Sequence, residues 1–299
     1  MSSCLKDYLR DRLLKSGASA VGFAKAEPVE EDFFLKFERW LAEGKAGDLD
    51  YMHRHKELRK NPALLLDGAK TVVSVAWNYL PSEVRTSEMP HVARYAYGRD
   101  YHKALRSILR PICRDIEAKF DLKWRICIDS APVAERYWAV KSGIGFVGRN
   151  GCLIVPGVGS WVFLSEILLT AEVEPDMPEK RGCMDCGVCL KECPVNALEG
   201  SGFLSARRCI SAVTVEDTVP ETAYQGKPHL LGCDLCQEKC PHNRDARPSI
   251  WLRPINNILS PDLGGLEQMD DETFRKQFSG TAFMRPGKER LLKNLKFKS

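Results

Sequence analysis

Twelve cysteines punctuate this chain of 299 residues, and eight of them fall between Cys183 and Cys240. Cys183-Met-Asp-Cys186-Gly-Val-Cys189-Leu-Lys-Glu-Cys193-Pro194 has the spacing C-x2-C-x2-C-x3-C-P; Cys209 follows, then Cys233-Asp-Leu-Cys236-Gln-Glu-Lys-Cys240-Pro241. Three thiolates two residues apart on a tight loop reach three corners of one iron–sulfur cubane, and the fourth, set before a proline, is carried to a second cubane. The spacing therefore assigns Cys183, Cys186, Cys189 and Cys240 to one 4Fe–4S cluster and Cys193, Cys209, Cys233 and Cys236 to another. The second half of the pattern is degenerate, one ligand having moved out to Cys209. Structural zinc also favours C-x2-C pairs, but it does not require the paired C-x3-C-P endings. Two adjacent cubanes conduct single electrons, so the preceding 180 or so residues must hold what is reduced or oxidised. Cys4, Cys113, Cys127 and Cys152 are scattered and read as small buried apolar side chains.

The elements that must position this chemistry follow from periodicity. Leu5, Tyr8, Leu9 and Leu13 fall at helical spacing, as do Phe33, Phe37, Trp40 and Leu41, and later Ala104, Leu105, Ile108, Leu109 and Ile112. Strands are expected at Ala20 to Ala24, Thr71 to Trp77, Trp124 to Ile128 and Gly159 to Thr170. Strands alternating with helices predict an α/β (α+β) domain over residues 1–175. Glu174-Pro-Asp-Met-Pro-Glu is the natural linker to a bacterial ferredoxin-like domain over 176–250, and 251–299 reads as a helical, basic tail. Hydrophobic residues at 44% and charged residues at 28% suit a globular chain rather than a disordered one. The most apolar run, Trp161 to Leu169, is broken by Ser165 and Glu166, so no membrane span is expected. Met1-Ser-Ser-Cys-Leu-Lys-Asp shows no export pattern and no twin arginine, which predicts a cytoplasmic protein with reduced thiols. Of the net charge of +4, the stretch from Arg285 to Ser299 carries six Lys/Arg and one Glu, a local +5, leaving −1 for the rest. Such a tail is either a solvated terminal helix or a contact for phosphate.

Two features of the front half bear on chemistry. Gly143-Ile-Gly145-Phe-Val-Gly148 matches G-x-G-x-x-G, but a helix expected over Val133 to Lys141 precedes it, where a dinucleotide loop needs a strand before and a helix after. Nicotinamide binding is therefore not expected. Asp129 lies where a strand ends and a helix begins, which suits a site residue and a helix cap equally. Ser130 can supply the cap instead, with Pro132 in the first turn.

Taken together, Asp129-Ser-Ala-Pro-Val-Ala-Glu-Arg, Ser142-Gly-Ile-Gly-Phe-Val-Gly-Arg-Asn, Gly159-Ser-Trp-Val-Phe-Leu, Arg208-Cys-Ile-Ser, Gly232-Cys-Asp-Leu-Cys-Gln and the eight cysteines resemble the epoxyqueuosine reductases. The resemblance runs from about residue 5 to residue 295. It implies cobalamin beside one cluster and reduction of the epoxide of epoxyqueuosine, at the tRNA wobble position, to the alkene of queuosine. It also implies that Asp129 is the proton donor near the cobalt, and that Arg59, Ala93, Gly148, Leu153, Leu164 and Ser211 line the corrinoid, several through backbone atoms. An apolar, desolvated site would raise the pKa of Asp129 for that role. Many members of the family continue into a helical-repeat extension that helps hold tRNA; this chain stops about 60 residues after Cys240, so Arg285, Lys288, Arg290, Lys293 and Lys296 are expected to supply part of the tRNA contact. The electron donor is not named by the sequence, and the chain is read as a monomer. Two rival readings differ in class. One is a corrinoid iron–sulfur reductive dehalogenase, which usually carries a twin-arginine signal. The other is a ferredoxin-type electron carrier without enzymatic activity, which would not bind a corrinoid.

Overall fold

In the computed structural model, residues 2–84, 89–216, 218, 224–259 and 263–296 are described. The front half contains helices α1 (Ser2–Lys15), α2 (Glu31–Ala42), α3 (Asp50–His53), α4 (Lys56–Lys60), α5 (Tyr101–Phe120) and α6 (Glu135–Lys141). Its strands are β1 (Ala20–Lys25), β2 (Thr71–Asn78), β3 (His91–Val92), β4 (Trp124–Cys127), β5 (Phe146–Val147), β6 (Leu153–Ile154) and β7 (Val162–Leu169). The cluster half and C-terminal segment contribute α7 (Val188–Glu192), α8 (Ile210–Glu216), β8 (His229–Leu231), α9 (Leu235–Glu238), α10 (Asn256–Leu259), α11 (Leu263–Gln268), α12 (Asp271–Phe278) and α13 (Gly287–Lys296).

The central sheet has the order β1-β2-β7-β4 and every pairing in it is antiparallel. This settles the architecture on the α+β side of the expectation. Period-two alternation separates its faces. Phe23, Val73, Val75, Trp77, Ile167 and Leu169 point into a core with Leu5, Leu9 and Leu13 of α1 and Leu105, Leu109 and Ile112 of α5. On the other face, Val72 and Leu168 pack on Tyr137 and Trp138 of α6, and Ala76 on Ala139. That second face carries a row of small or polar residues in register, Gly22, Ser74, Glu166 and Cys127, one from each strand.

The glycine in this row decides how closely α6 can approach. A Cβ at Gly22 would stand 2.0 Å from the Ser142 carbonyl oxygen at the end of the helix. The G-x-G-x-x-G run has a similar cause. It turns from α6 into the β5–β6 hairpin, and a Cβ at Gly145 would lie 2.3 Å from the Ile154 carbonyl oxygen. No helix opens after it, so the run is a packing device and not a dinucleotide loop.

The C-terminal segment is not the detached tail that its charge suggested. Phe274, Phe278, Phe283 and Leu291 share a core with Val92, Ala96, Leu230 and Leu231, fastening both halves together. The linker is also tied: Asp176 accepts from the Phe23 amide at 3.0 Å and pairs with Lys6 and Arg10 at 2.8 and 2.6 Å. Among the described residues, no helix is long and apolar enough to cross a membrane. Because Gly22 faces backbone that has no free end to swing away, Gly22→Ala is expected to destabilise the fold by about 3 kcal/mol, read as a lowered denaturation midpoint with an unchanged slope.

Candidate active site and cluster-binding region

Asp129 follows β4 directly and has φ of +46°, a left-handed conformation that costs a non-glycine residue about 1 kcal/mol. Two bonds hold it there. Its amide donates to Glu135 Oε1 at 2.7 Å and its Oδ2 lies 3.0 Å from His102 Nε2, while Tyr101 lies within electrostatic reach of its carboxylate. The other imidazole nitrogen, Nδ1, is 2.9 Å from Asp100 Oδ1, and the same carboxylate caps α5 through the His102 amide. The chain Asp100–His102–Asp129 is thus anchored at the first turn of α5. The Tyr101 ring stacks between the His102 ring and Phe163, which fixes the imidazole plane.

The expected cap is absent: α6 begins after Ala134 without a side-chain cap, and the Ser130 hydroxyl bonds the Ile128 carbonyl. Asp129 is therefore free of the capping role. Nor is it desolvated, since its side chain is 57% exposed, which overturns the apolar pocket expected from sequence. Its chemistry comes from its neighbours. Burial pulls the His102 pKa down, but hydrogen bonds to Asp100 and Asp129 outweigh it and raise it to about 9. Removal from water, then the Asp129 charge, pushes Glu135 up to about 8. Burial, followed by the charges of Glu216 and Asp129, pushes Tyr51 up to about 12. Arg59 is lowered by burial and lies within electrostatic reach of Tyr51 and Glu135. Arg285 pairs with Glu216 at 2.7 Å and also feels Tyr51 and Asp129. Residues from α3, α4, α5, α8 and the C-terminal segment thus surround one exposed acid.

The eight thiols of the cluster half fall into two neighbourhoods. Cys183, Cys186, Cys189 and Cys240 line one cleft together with Gly148 and His242, and Cys240 lies within electrostatic reach of the other three. Cys193, Cys209 and Cys233 sit together against Val195, Ala197 and Ile210, and Cys236 lies within electrostatic reach of Cys209 and Cys233. Two sets of four sulfur donors, one open and one lined by apolar side chains, fit two cubane clusters. Cys152 departs from the expected buried apolar role: it is only partly buried and lies within electrostatic reach of Cys236. Cys4 is exposed, whereas Cys113 and Cys127 are buried as expected.

The remaining expected residues are distributed over both halves. Ala93, 1% exposed, donates its amide to Leu231 at 2.7 Å and touches Gly232, where an added Cβ would stand 2.6 Å from that of Ala93. Gly148 faces the first cysteine set, Ser211 lies on α8 two residues after Cys209, and Leu153 and Leu164 join the Ala76 core, Leu164 only partly buried. In the basic segment, Arg290 is buried and donates to the Val213 carbonyl, and Lys288 is held by the Met269 carbonyl and Asp271. Arg290 is thereby removed from the RNA-facing set, its charge serving to pin α13 on α8. Arg285, Lys293 and Lys296 stay exposed. Sequence reading missed Tyr51, Tyr101, His102, Glu135 and Glu216.

Two family models match the chain, "Epoxyqueuosine reductase QueG, DUF1730" over residues 59–130 and "4Fe-4S double cluster binding domain" over residues 182–243. The chain is 34% identical to an epoxyqueuosine reductase of Synechococcus sp. over 94% of its own length and 89% of the relative's. With that of Pseudomonas aeruginosa it shares 35% identity, covering 99% and 84%. Among solved structures, the Streptococcus thermophilus epoxyqueuosine reductase superposes with a TM-score of 0.85 at 29% identity, covering 97% of this chain and 79% of that one. An epoxyqueuosine reductase with an epoxyqueuosine-modified tRNA-Tyr stem loop also gives 0.85, at 27% identity and coverage of 99% and 80%. A Bacillus subtilis structure, at 0.83, 27% identity and coverage of 99% and 81%, has an aspartate-bearing catalytic loop swung out of its active site.

The raised pKa of His102 has a consequence for stability. An imidazole near 6.5 when unfolded and near 9 when folded contributes stability that is complete below about pH 6.5 and is lost as pH rises through about 9. Chemical denaturation across that window should show the fold weakening, and His102→Gln should flatten this part of the profile.

Proposed function

The chain belongs to the epoxyqueuosine reductase family of oxidoreductases, and on that footing we propose that it reduces the epoxide of epoxyqueuosine in tRNA to the alkene of queuosine, with cobalamin as the cofactor at the substrate. The observation that carries this reading is an exposed carboxyl, Asp129, hydrogen-bonded to an imidazole that is protonated at neutral pH, in the same fold as two complete sets of four thiols. The reaction consumes two electrons and two protons and releases the epoxide oxygen as water. Single electrons enter through the clusters held by Cys183, Cys186, Cys189 and Cys240 and by Cys193, Cys209, Cys233 and Cys236.

A corrinoid supplies low-valent cobalt able to reduce a strained epoxide. Arg59, Ala93, Gly148, Leu153, Leu164 and Ser211 are the residues we assign to hold it. Ala93 and Gly232 press together where the front half meets the cluster half, and Gly148 lines the cleft of the first cysteine set, which would put a corrinoid held there beside a cluster.

Asp129 delivers a proton to the departing oxygen. Next to the His102 imidazolium the carboxyl need not be protonated beforehand, because the pair holds one transferable proton that passes through Asp129 as basicity develops on the oxygen. Asp100 keeps the imidazole oriented, and the Tyr101 ring holds its plane. Tyr51, Arg59 and Arg285 border the same opening and present polar groups to the modified base. The exposed cations of Arg285, Lys293 and Lys296 meet the phosphates of the anticodon stem loop.

Asp129→Asn should slow single-turnover alkene formation by about 10²- to 10⁴-fold with both clusters and the corrinoid content unchanged; a wild-type rate in nucleoside mass spectrometry would remove Asp129 from the donor role. Lys296→Glu should weaken tRNA binding across a salt series and lower the slope of log K against log salt by about 1 for the lost phosphate contact, whereas Arg290→Gln should act through stability instead.

A further inference from the structure

The Nε2 nitrogen of His242 is buried and has no hydrogen-bond partner among the described residues. The residue itself is half-buried and lines the same cleft as Cys183, Cys186, Cys189 and Cys240. Orphaned buried nitrogens are rare in native proteins, because such a group gives up water and gains no bond in return. An orphan on the wall of a cluster's cleft therefore calls for a partner that the cluster itself brings.

The imidazole is held where it stands from both halves of the molecule. It belongs to a short turn, Pro241–Asn243, that follows Cys240 directly, and the proline fixes the entry into that turn. Asn243 Nδ2 donates to the Gln237 carbonyl at 2.8 Å and to the Ser160 hydroxyl at 2.9 Å, and its Oδ1 accepts the Ser160 amide at 2.7 Å. From the front half, the Phe146 ring of β5 packs against the imidazole at 69°, with ring centres 5.3 Å apart.

Arg149 adds a charge to the same wall. Its Nη1 lies 3.5 Å from the Asp185 carbonyl, in the loop between Cys183 and Cys186. The guanidinium rests against Gly200, where an added Cβ would stand 2.7 Å from Nη2. Glu199, the neighbour of Gly200 in the chain, gives its carboxylate to Lys45 at 2.7 Å, and among the described residues no carboxylate pairs with Arg149. The cleft thus sets an imidazole nitrogen and an uncompensated cation beside four sulfur donors.

A cubane held by four thiolates is negatively charged, and more so once it is reduced. Hydrogen bonds to its sulfurs and cations near it therefore favour the reduced state. We propose that His242 donates a hydrogen bond from Nε2 to a sulfur of the cluster on Cys183, Cys186, Cys189 and Cys240, and that this bond, on a wall that also carries Arg149, raises the reduction potential of that cluster. The cluster takes one electron from an outside one-electron carrier, which is oxidised in the same step. No bond is made or broken, and the Nε2 hydrogen stays on the ring. Cys186 is exposed, so the bond sits at the cluster that such a carrier can reach. The inference rests on the two-cluster reading and not on the substrate.

The test uses the full chain with both clusters and needs no tRNA. His242→Phe keeps an aromatic ring against Phe146 and removes the donor, whereas His242→Gln keeps an N–H donor on a side chain of similar reach. In an EPR-monitored redox titration at fixed pH, His242→Phe should lower one of the two midpoints and leave the other in place. At a given potential the ratio of reduced to oxidised cluster should drop about tenfold, which for one electron is about 59 mV. His242→Gln should restore most of the shift. In wild type carrying isotope-labelled histidine, pulsed EPR of the reduced protein should show a coupling from an imidazole nitrogen. Equal midpoints in wild type and His242→Phe, at unchanged iron and sulfide content, would overturn the proposal. So would an equal fall in His242→Gln, which would make the ring and not its N–H the cause. The coupling is read on the wild type and stays decisive if a variant loses its cluster: without it there is no bond from His242.

Discussion

Helix α6 can lie where it does only because Gly22 has no side chain. The Ser142 carbonyl occupies the space a Cβ would take, so the helix settles low on the sheet. Its first turn then brings Glu135 to the end of β4, where the chain leaves the sheet at Cys127 and turns through Asp129. The conformation of Asp129 is unfavourable for a residue with a Cβ. The hydrogen bonds to Glu135, from its amide, and to His102, at its carboxylate, outweigh a cost of about 1 kcal/mol, since each such bond contributes about 1 kcal/mol net and more where a charge takes part. The site acid is thus held by its neighbours and not by its own backbone preference, and the same row of the sheet that admits the helix carries Glu166 beneath it.

The cluster half is fixed to this site by buried polar contacts in addition to the apolar core it shares with the front half. Asn150 donates to the Cys236 carbonyl at 3.2 Å from the turn before β6, and Ser160 shares a network with Gln237 and Asn243 at 2.9 and 3.4 Å. Asp234, one residue beyond Cys233, accepts the Arg94 amide at 2.7 Å. From the other side, Asn294 of α13 donates to the Thr214 and Leu230 carbonyls at 2.9 Å each. Bonds of this kind are directional and leave little tolerance for sliding. That suits a path for single electrons, whose end must keep a fixed relation to the residues that deliver protons.

How much of this was legible in the residues depended on sequence distance. The eight cysteines suggest a partition because C-x2-C-x2-C sets three thiols of one cluster on a tight loop, and each C-x3-C-P ending carries its last thiol to the other cluster. Cys152 lies more than eighty residues before Cys236, and nothing local distinguishes it from Cys113. Asp129 stood out at a strand end, yet His102 and Tyr101 could not, being ordinary polar and aromatic residues in the first turn of a helix whose apolar stripe said only that α5 packs. The alternation of strands and helices suggested an α/β or α+β domain but not that all central pairings are antiparallel, because pairing direction is set by connections that composition does not encode. Arg290 shows the limit of charge counting: in a run of cations, one side chain turns inward to a backbone carbonyl, and only packing reveals which.

The donor role proposed for Asp129 does not require a buried acid. Desolvation is one way to make a carboxyl hold its proton, but it would also bar a large substrate from the site. Here the acid remains exposed beside His102, whose paired carboxylates, Asp100 and Asp129, outweigh its burial and keep it charged at neutral pH. Exposure is then an advantage, since the nucleotide that carries the epoxide belongs to a macromolecule and cannot be swallowed by a closed pocket. The remaining acids divide by depth, Glu135 half-buried and Glu166 fully so.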